Sequence, residues 1–456
     1  MKMFLPQNLR AYWKQLTTSS INKKIFAAAL TVGLGTGLVK VVAVGRELVV
    51  AWRFGTGDAV DAFLIALIVP FFIINVVASS FDAALIPTYI RVREKDGIAS
   101  AQKLFSSVTI WSVGLLGSTT ILMVVTAPLY LPLIASGFST QKLELTYKLL
   151  YALAPVVLLN SITTIWSAVL NAIERFALAA IVPILTPAIT ILLLLIFHDW
   201  GIFALAGGLA GGAFLELILL GFALNRQGIS LLPKWHGFDT HLRQVTSQYV
   251  PMIAGSCLIN TTGLIDQSMA AMLSPGSVAA LNYGNRIIAF VLGLTTTALS
   301  TAVIPYFSKM VANSNWQDIN HTLKRYLYLI IICTVPLTIC LYFFSEHITQ
   351  IIFQRGEFGF KDTIVVSDIQ KFYALQIPFY IANILVVRMI SALQANQILM
   401  WVSAVNLIAN IVFNLVLSKF LGISGIALST SGMYIVCLCM TYFSLLYLLK
   451  KRQLLN

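Results

Sequence analysis

Apolar residues in this chain neither alternate nor recur on a single helical stripe. They run in long blocks separated by short connections rich in charge, proline and glycine. Twelve blocks can be drawn, at about 25–45, 60–87, 105–127, 149–170, 177–197, 202–224, 246–272, 279–308, 326–344, 372–393, 398–417 and 423–449. Each is about the ~20 residues that a helix needs to cross a hydrocarbon layer. Backbone polar groups find no partners in lipid, so helices are the expected form of these blocks. The pattern therefore predicts an all-α polytopic membrane protein with about 12 transmembrane helices.

Composition agrees. Of 456 residues, 58% are apolar and only 10% are charged, against ~25% charged in a typical soluble domain. So few charges cannot cover the surface of a soluble protein of this size. The same figures exclude disordered, collagenous and disulfide-framework readings. The five cysteines (Cys257, Cys333, Cys340, Cys437, Cys439) lie in apolar runs and form no C-x-x-C pair, so they read as small packing residues. All five histidines fall in polar connections, which disfavours a haem or a histidine proton relay between helices. Neither cofactor nor metal is expected. Residues 1–24 contain no continuous apolar stretch before Ile25, so they do not read as a signal peptide. Tyr12, Trp13 and Leu16 among Lys2, Arg10, Lys14, Lys23 and Lys24 suggest an interfacial helix or a solvated basic arm.

The basic residues are unevenly placed. Nineteen fall on one side of the predicted spans, in the arm, the connections 88–104, 225–245 and 309–325, Arg175 and the tail 450–456. Seven fall on the other: Arg53, Lys142, Lys148, Arg355, Lys361, Lys371 and Lys419. The positive-inside rule puts both termini in the cytoplasm. This bias accounts for the net charge of +13 without a nucleic-acid partner.

The chain also repeats. Ala84-Leu-Ile-Pro87-Thr-Tyr matches Ala302-Val-Ile-Pro305-Tyr-Phe; Tyr151-Ala-Leu153 matches Tyr373-Ala-Leu375; Gly201-Ile202 with Ala204-Leu-Ala206 matches Gly422-Ile423 with Gly425-Ile-Ala427. The offsets are 218, 222 and 221 residues. An even-numbered unit of six helices keeps its orientation on repetition, so the two copies would be related by a pseudo-two-fold axis along the membrane normal. The expected organisation is a cytoplasmic arm (1–24), an N-lobe (25–224), a linker (225–245), a C-lobe (246–449) and a cytoplasmic tail (450–456), with a central cavity between lobes.

Four basic residues lie within or at the ends of spans: Lys40, Arg46, Arg286 and Arg388. Charges at membrane depth face a wet cavity or one another. Lys40 and Glu47 are seven apart and share a helical face; Gly33, Gly35 and Gly37 before them allow either close helix packing or a bend. Asp58 reads as a helix cap. Asp61, one turn deeper, is either a first-turn carboxylate on the helix dipole or a partner for Arg46 or Lys40. Asp266 lies in the seventh span. Arg286 follows Asn282, Tyr283 and Asn285, a polar patch equally compatible with interhelical hydrogen bonding. Asp82 and Glu216 are lone intramembrane acids with no assigned role. Arginine offers a planar fork to phosphate oxygens, so these charges suit an anion with several oxygens, such as a lipid-linked diphosphate or an organic anion.

Four stretches carry a resemblance. Gly45-Arg-Glu-Leu-Val-Val-Ala-Trp-Arg-Phe-Gly-Thr-Gly-Asp58-Ala-Val-Asp61-Ala-Phe resembles the first-to-second helix signature of the MurJ/MviN lipid II flippases. Ser277-Val-Ala-Ala-Leu-Asn-Tyr-Gly-Asn-Arg286 resembles their eighth-helix signature, Phe353-Gln-Arg-Gly-Glu-Phe358 their periplasmic loop, and Asn171-Ala-Ile-Glu-Arg-Phe176 their fourth-to-fifth connection. The resemblance runs in order from about residue 25 to 449. It implies the two-lobed fold of the multidrug/oligosaccharidyl-lipid/polysaccharide exporter superfamily, to which the MATE transporters belong, and alternating access around a cationic cavity. Arg46, Asp61 and Arg286 match charged cavity positions of that family; Lys40 stands where arginine is usual, and Arg388 where a basic residue is. Two departures stand out. The family's basic pair in the second helix is here Ile74-Asn75, followed by Ser79-Ser80, and many members carry two more helices after the twelfth. A related polyprenyl-diphosphate-linked oligosaccharide therefore stays open as substrate.

The expected function is a flippase that moves a polyprenyl-diphosphate-linked sugar precursor across the bacterial inner membrane, for peptidoglycan or surface polysaccharide. The expected substrate-binding residues are Arg46, Arg286, Lys40, Arg388 and Asp61, supported by Glu47, Asp266 and Asn285. The drive would be the membrane potential or a coupled ion, and the prenyl tail would stay among membrane lipids. Three rival readings exist. A drug/cation antiporter of the MATE type would have an acid-dominated cavity. A membrane-embedded glycan polymerase or transferase would use the outer connection 345–371, with Glu346, His347, Glu357, Asp362 and Asp368, which lacks metal spacing and reads as a solvated loop. A non-transporting scaffold would not keep charges inside the membrane.

Overall fold

Long apolar blocks form helices wherever lipid withholds other backbone partners. The computed structural model describes residues 21–231, 234–312 and 316–454. Of the predicted basic arm, only its last residues are described, and the side chain of Asp82 lies outside what is described. The helices are α1 (Ile21–Phe54), α2 (Asp58–Ile73), α3 (Ser79–Lys95), α4 (Gly97–Ile134), α5 (Thr140–Ala172), α6 (Phe176–Ile181), α7 (Leu185–Ile196) and α8 (Phe203–Asn225). They continue with α9 (Thr240–Ala271), α10 (Ser277–Ala312), α11 (Trp316–Phe343), α12 (Ser345–Phe353), α13 (Phe360–Ala374), α14 (Ile377–Ala392), α15 (Asn396–Leu421) and α16 (Ile423–Leu454). Ten helical stretches among the described residues are long and apolar enough to cross a membrane. The protein is a multi-pass integral membrane protein. The first and seventh predicted spans correspond to α1 and α9, which fall outside these ten.

One predicted connection is corrected. Residues 345–371, expected as a solvated loop, are mostly the helices α12 and α13, which bury Ser345, Thr349, Phe353, Val366 and Ile369. Asp362 starts α13 by accepting the Gly359 N–H at 2.8 Å, an N-terminal cap that the apolar-block reading passes over. The helical stretch Phe360–Ala392 is thus longer than the predicted tenth span.

The chain clusters into two units. One comprises residues 1–50, 73–126 and 149–253. Its core joins Leu85, Tyr89, Leu104, Phe105, Ile165, Leu224 and Tyr249 from five helices; truncating one such leucine to alanine costs about 2–5 kcal/mol. Glycines Gly208 and Gly212 let α8 lie directly on α7, where an added Cβ would strike Thr190 and Thr186. Glu216 accepts the Thr186 hydroxyl at 2.5 Å and its N–H at 3.2 Å, which gives this lone acid a structural role. A π-helical segment, Ile74–Ala78, sits between α2 and α3, and Tyr249 Oη donates to the Val77 carbonyl at 3.0 Å. Ile74-Asn75, where the sequence departs from the family resemblance, opens this irregular segment.

The other unit comprises residues 51–72, 127–148 and 254–456. Here polar side chains tie helices together: Thr441 donates to Asn383 at 2.8 Å, Ser431 to the Phe372 carbonyl at 2.7 Å, and Ser345 to the Ser367 carbonyl at 2.7 Å.

Local backbone geometry recurs along the chain. Among the described residues, Glu174 (φ 62°) and Gln394 (φ 58°) are the two non-glycine residues with positive φ. Each is closed by the same bonds: Arg175 N–H to Leu170 O at 2.8 Å and Ala395 N–H to Ile390 O at 3.1 Å. Gly201 and Gly422 are a second pair, with φ of 52° and 55° and ψ of −131° and −132°. Equal turns at separations of 220 and 221 residues match the offsets of the sequence repeat.

Candidate functional site

Three of the four signature stretches meet in the second unit. The turn between α1 and α2 (Gly55-Thr56-Gly57) packs against both the start of α10 and the loop before α13. Glu357 N–H donates to the Trp52 carbonyl at 2.9 Å, and the Thr56 hydroxyl donates to Asp362. Close backbone approach explains two glycines. Gly276 (φ 85°) has no room for a Cβ beside the Thr56 carbonyl, and Gly356 (φ 60°) has none beside the Trp52 carbonyl.

Asp61 is at the centre of this contact and is 1% exposed. Its carboxylate accepts the N–H of Gly276 at 2.7 Å and of Ala279 at 2.8 Å. It therefore caps the N-terminus of α10 from another helix, where the helix dipole favours an anion. Lys142 completes the set. Its Nζ lies 2.7 Å from Asp61 and 2.6 Å from Asp58, with its side chain 7% exposed, and it stacks over the Phe138 ring at 4.1 Å. One expectation is corrected here: Asp61 pairs with the buried Lys142 rather than with Arg46 or Lys40. Lys142 left no signal in the sequence because it reads as an ordinary charge in an outer connection. Only the fold brings it onto two acids 84 and 81 positions away.

In the first unit, α1 carries Lys40, which is exposed, and Arg46, which is part-buried and ion-paired with Glu47. Glu47 thus orients Arg46. In the second unit, α10 presents Arg286 at an exposed position next to the half-buried Asn285, and Arg388 is half-buried on α14. The fold gives Asp266 a different environment from these cations. It accepts Asn410 Nδ2 at 3.0 Å, Asn414 Nδ2 at 2.6 Å and Thr430 Oγ1 at 3.3 Å. Among the described residues its hydrogen-bond donors are neutral. Asn410 and Asn414, both fully buried, belong to the site and were not singled out. Their signal is a row of amides one turn apart, Asn406, Asn410 and Asn414, in a largely apolar span.

Comparisons with known proteins agree with this arrangement. A sequence model of the family described as "Lipid II flippase MurJ" matches residues 50–455. A probable lipid II flippase MurJ of Synechocystis is 26% identical over 419 residues, spanning 88% of this chain and 78% of the relative. That of Thermotoga maritima is 26% identical over 421 residues, spanning 91% and 84%. Among solved structures, an inward-closed lipid II flippase MurJ superposes with a TM-score of 0.79 at 24% identity, covering 91% of this chain and 87% of that one. An inward-facing multidrug-resistance MATE transporter superposes with 0.77 at 12% identity, covering 90% and 95%. These likenesses carry the shared superfamily fold. The match of the family model over most of the chain establishes that the chain belongs to the MurJ family of lipid II flippases.

Proposed function

We propose that this protein flips a polyprenyl-diphosphate-linked sugar precursor, lipid II or a closely related lipid-linked oligosaccharide, from the inner to the outer leaflet of the bacterial cytoplasmic membrane. The observation that carries the proposal is the family match over residues 50–455, on a chain with arginines inside its spans. Both termini lie in the cytoplasm, as the excess of basic residues on that side requires. Residues 25–224 and 246–449 act as two lobes joined by the linker 225–245.

Arg46 and Arg286 are the diphosphate-binding residues, because each guanidinium can donate two parallel hydrogen bonds to phosphate oxygens. Glu47 holds Arg46 in position, and Asn285 lies beside Arg286 on the same helix. Lys40 and Arg388 add positive potential. Asp61 acts at a distance from the substrate: with Lys142 it holds α10 against α2 and closes the outer end, and this contact must open for release. Movement of charge through the membrane potential supplies ~2.3 kcal/mol per charge per 100 mV. Asp266, held by three neutral donors, is where a coupling cation or a proton would add charge. No covalent bond is made or broken.

The test is reconstitution in liposomes with labelled lipid II and with a second polyprenyl-diphosphate oligosaccharide. Flipping of either, above protein-free liposomes and lost in R46A and R286A, supports the reading. Failure to move both would overturn it. The replacement of the family's second-helix basic pair by Ile74-Asn75 makes the second substrate a real competitor, and the relative rates decide between them.

A further inference from the structure

A separate cavity of about 420 Å³ opens in the first unit, away from the charges discussed above. Its wall is mostly polar. It is formed by Tyr89 and Arg93 at the end of α3, Gln102 near the start of α4, Glu174 and Arg175 in the turn after α5, and Gln227 after α8. Two guanidinium groups and one carboxylate give the lining a net charge of +1. The signature stretch Asn171–Phe176, which the site around Asp61 leaves unused, supplies part of it.

The cavity is held in shape by its turns. Glu174 adopts a positive φ, and the following Arg175 N–H closes on Leu170 O at 2.8 Å. On the facing side, Gly228 (φ 75°) and the Ile229 N–H to Leu224 O bond at 3.2 Å fix the segment that carries Gln227. Arg175 Nε donates to Gln227 Oε1 at 3.1 Å, leaving its two terminal nitrogens for a ligand. Gln102 is anchored by its Nε2 to the Ser230 carbonyl at 2.9 Å. Tyr89 is buried, and burial raises its hydroxyl above the usual phenol range while the nearby Arg93 charge opposes that rise. It is therefore a neutral hydroxyl at physiological pH.

The repeat supplies an internal comparison. The matching turn of the second half has the same backbone geometry but carries Ala395 where this one has Arg175. The turn itself therefore does not require arginine. Ile98, an apolar residue 72% exposed, lines the same cavity. An exposed isoleucine in a cavity lined by two arginines at the end of membrane-spanning helices fits the boundary between headgroups and acyl chains.

We propose that this cavity binds a phosphodiester, the headgroup of an anionic phospholipid in the cytoplasmic leaflet. One negative charge matches the net +1 of the lining, and two arginines plus neutral amides match non-bridging phosphate oxygens. The assignment to the cytoplasmic leaflet rests on the orientation proposed above; the binding chemistry does not.

The test uses the full-length protein in nanodiscs of phosphatidylcholine with or without 20% phosphatidylglycerol, read by native mass spectrometry and thermal melting. We expect retained phosphatidylglycerol and a higher melting temperature with this lipid. Both effects should be lost in R93Q/R175Q, whose melting temperature in pure phosphatidylcholine should equal that of the parent. Millimolar inorganic phosphate in pure phosphatidylcholine should give no stabilisation. Equal phosphatidylglycerol retention by the double variant overturns the proposal, as does a lack of preference over phosphatidylcholine. Full stabilisation by free phosphate overturns the lipid assignment. A second variant, Q227L, removes the brace on Arg175 and should weaken lipid retention while both charges remain. Because the readout is binding, a failure of flipping in the liposome assay leaves this result standing, and the reverse also holds.

Discussion

Replacing Asp61 by asparagine tests the proposed outer closure directly. The wild-type carboxylate accepts two backbone N–H groups of α10 and the Lys142 ammonium at 2.7–2.8 Å. Asparagine keeps the shape, but its NH2 group must face one of those donors, and the charge that offsets Lys142 is lost. Breaking a buried ion pair costs ~3–5 kcal/mol. The lower end applies here because Asp58, whose side chain is 60% exposed, remains bound to Lys142. About 3 kcal/mol corresponds to roughly a hundredfold shift away from the closed arrangement. The assay is labelling of Ser277→Cys, which is 4% exposed in the parent, with a membrane-impermeant maleimide on purified protein whose five native cysteines are replaced. D61N should raise the labelling rate by about two orders of magnitude. The double variant D61N/K142M should be less perturbed than the two single changes combined, because the pair shares one interaction. Unchanged labelling in D61N, with the protein folded, would refute the reasoning.

Further outcomes follow from the same geometry. R46A and R286A should each abolish flipping of the lipid-linked sugar, with protein level and melting temperature preserved, since both arginines are at least partly exposed; normal transport in both would remove the diphosphate assignment. G276A places a Cβ against the Thr56 carbonyl at a positive φ, a conformation that costs ~1–2 kcal/mol for L-residues before any clash, so a fall in melting temperature is expected. D266A leaves the Asn410 amide without its acceptor, at ~1–3 kcal/mol for the buried group, while Asn414 keeps its bond to Asn410 Oδ1 at 3.2 Å. D266N, which keeps a hydrogen-bonding side chain there, should melt higher than D266A. If Asp266 takes up a coupling ion, D266N should still reduce ion-dependent flipping.

The polar contacts also explain why the rival catalytic reading of 345–371 loses ground. Asp362 is spent on capping α13 and on Thr56, and Asp368 pairs with Lys371 at 2.7 Å. These acids have structural partners within their own neighbourhood.

Sequence and tertiary structure divide the information unequally. The class of protein was legible because the hydrophobic effect and backbone hydrogen bonding act on every residue of a long apolar block, so many weak signals add. Family membership was legible from Gly45–Phe63, Ser277–Arg286 and Phe353–Phe358, and the pairing of Arg46 with Glu47 involves chain neighbours. The partners of Asp61 were not legible. Its two bound N–H groups lie 215 and 218 positions away, and backbone donors have no residue identity to read. The amide cage around Asp266 and the arginine-lined cavity at Tyr89 come likewise from helices far apart in sequence. A single buried charge contributes one long-range contact, and the pattern of polar and apolar positions does not encode which contact that is. Packing selects it, because only the folded helices bring one particular donor within 3 Å of one particular acid.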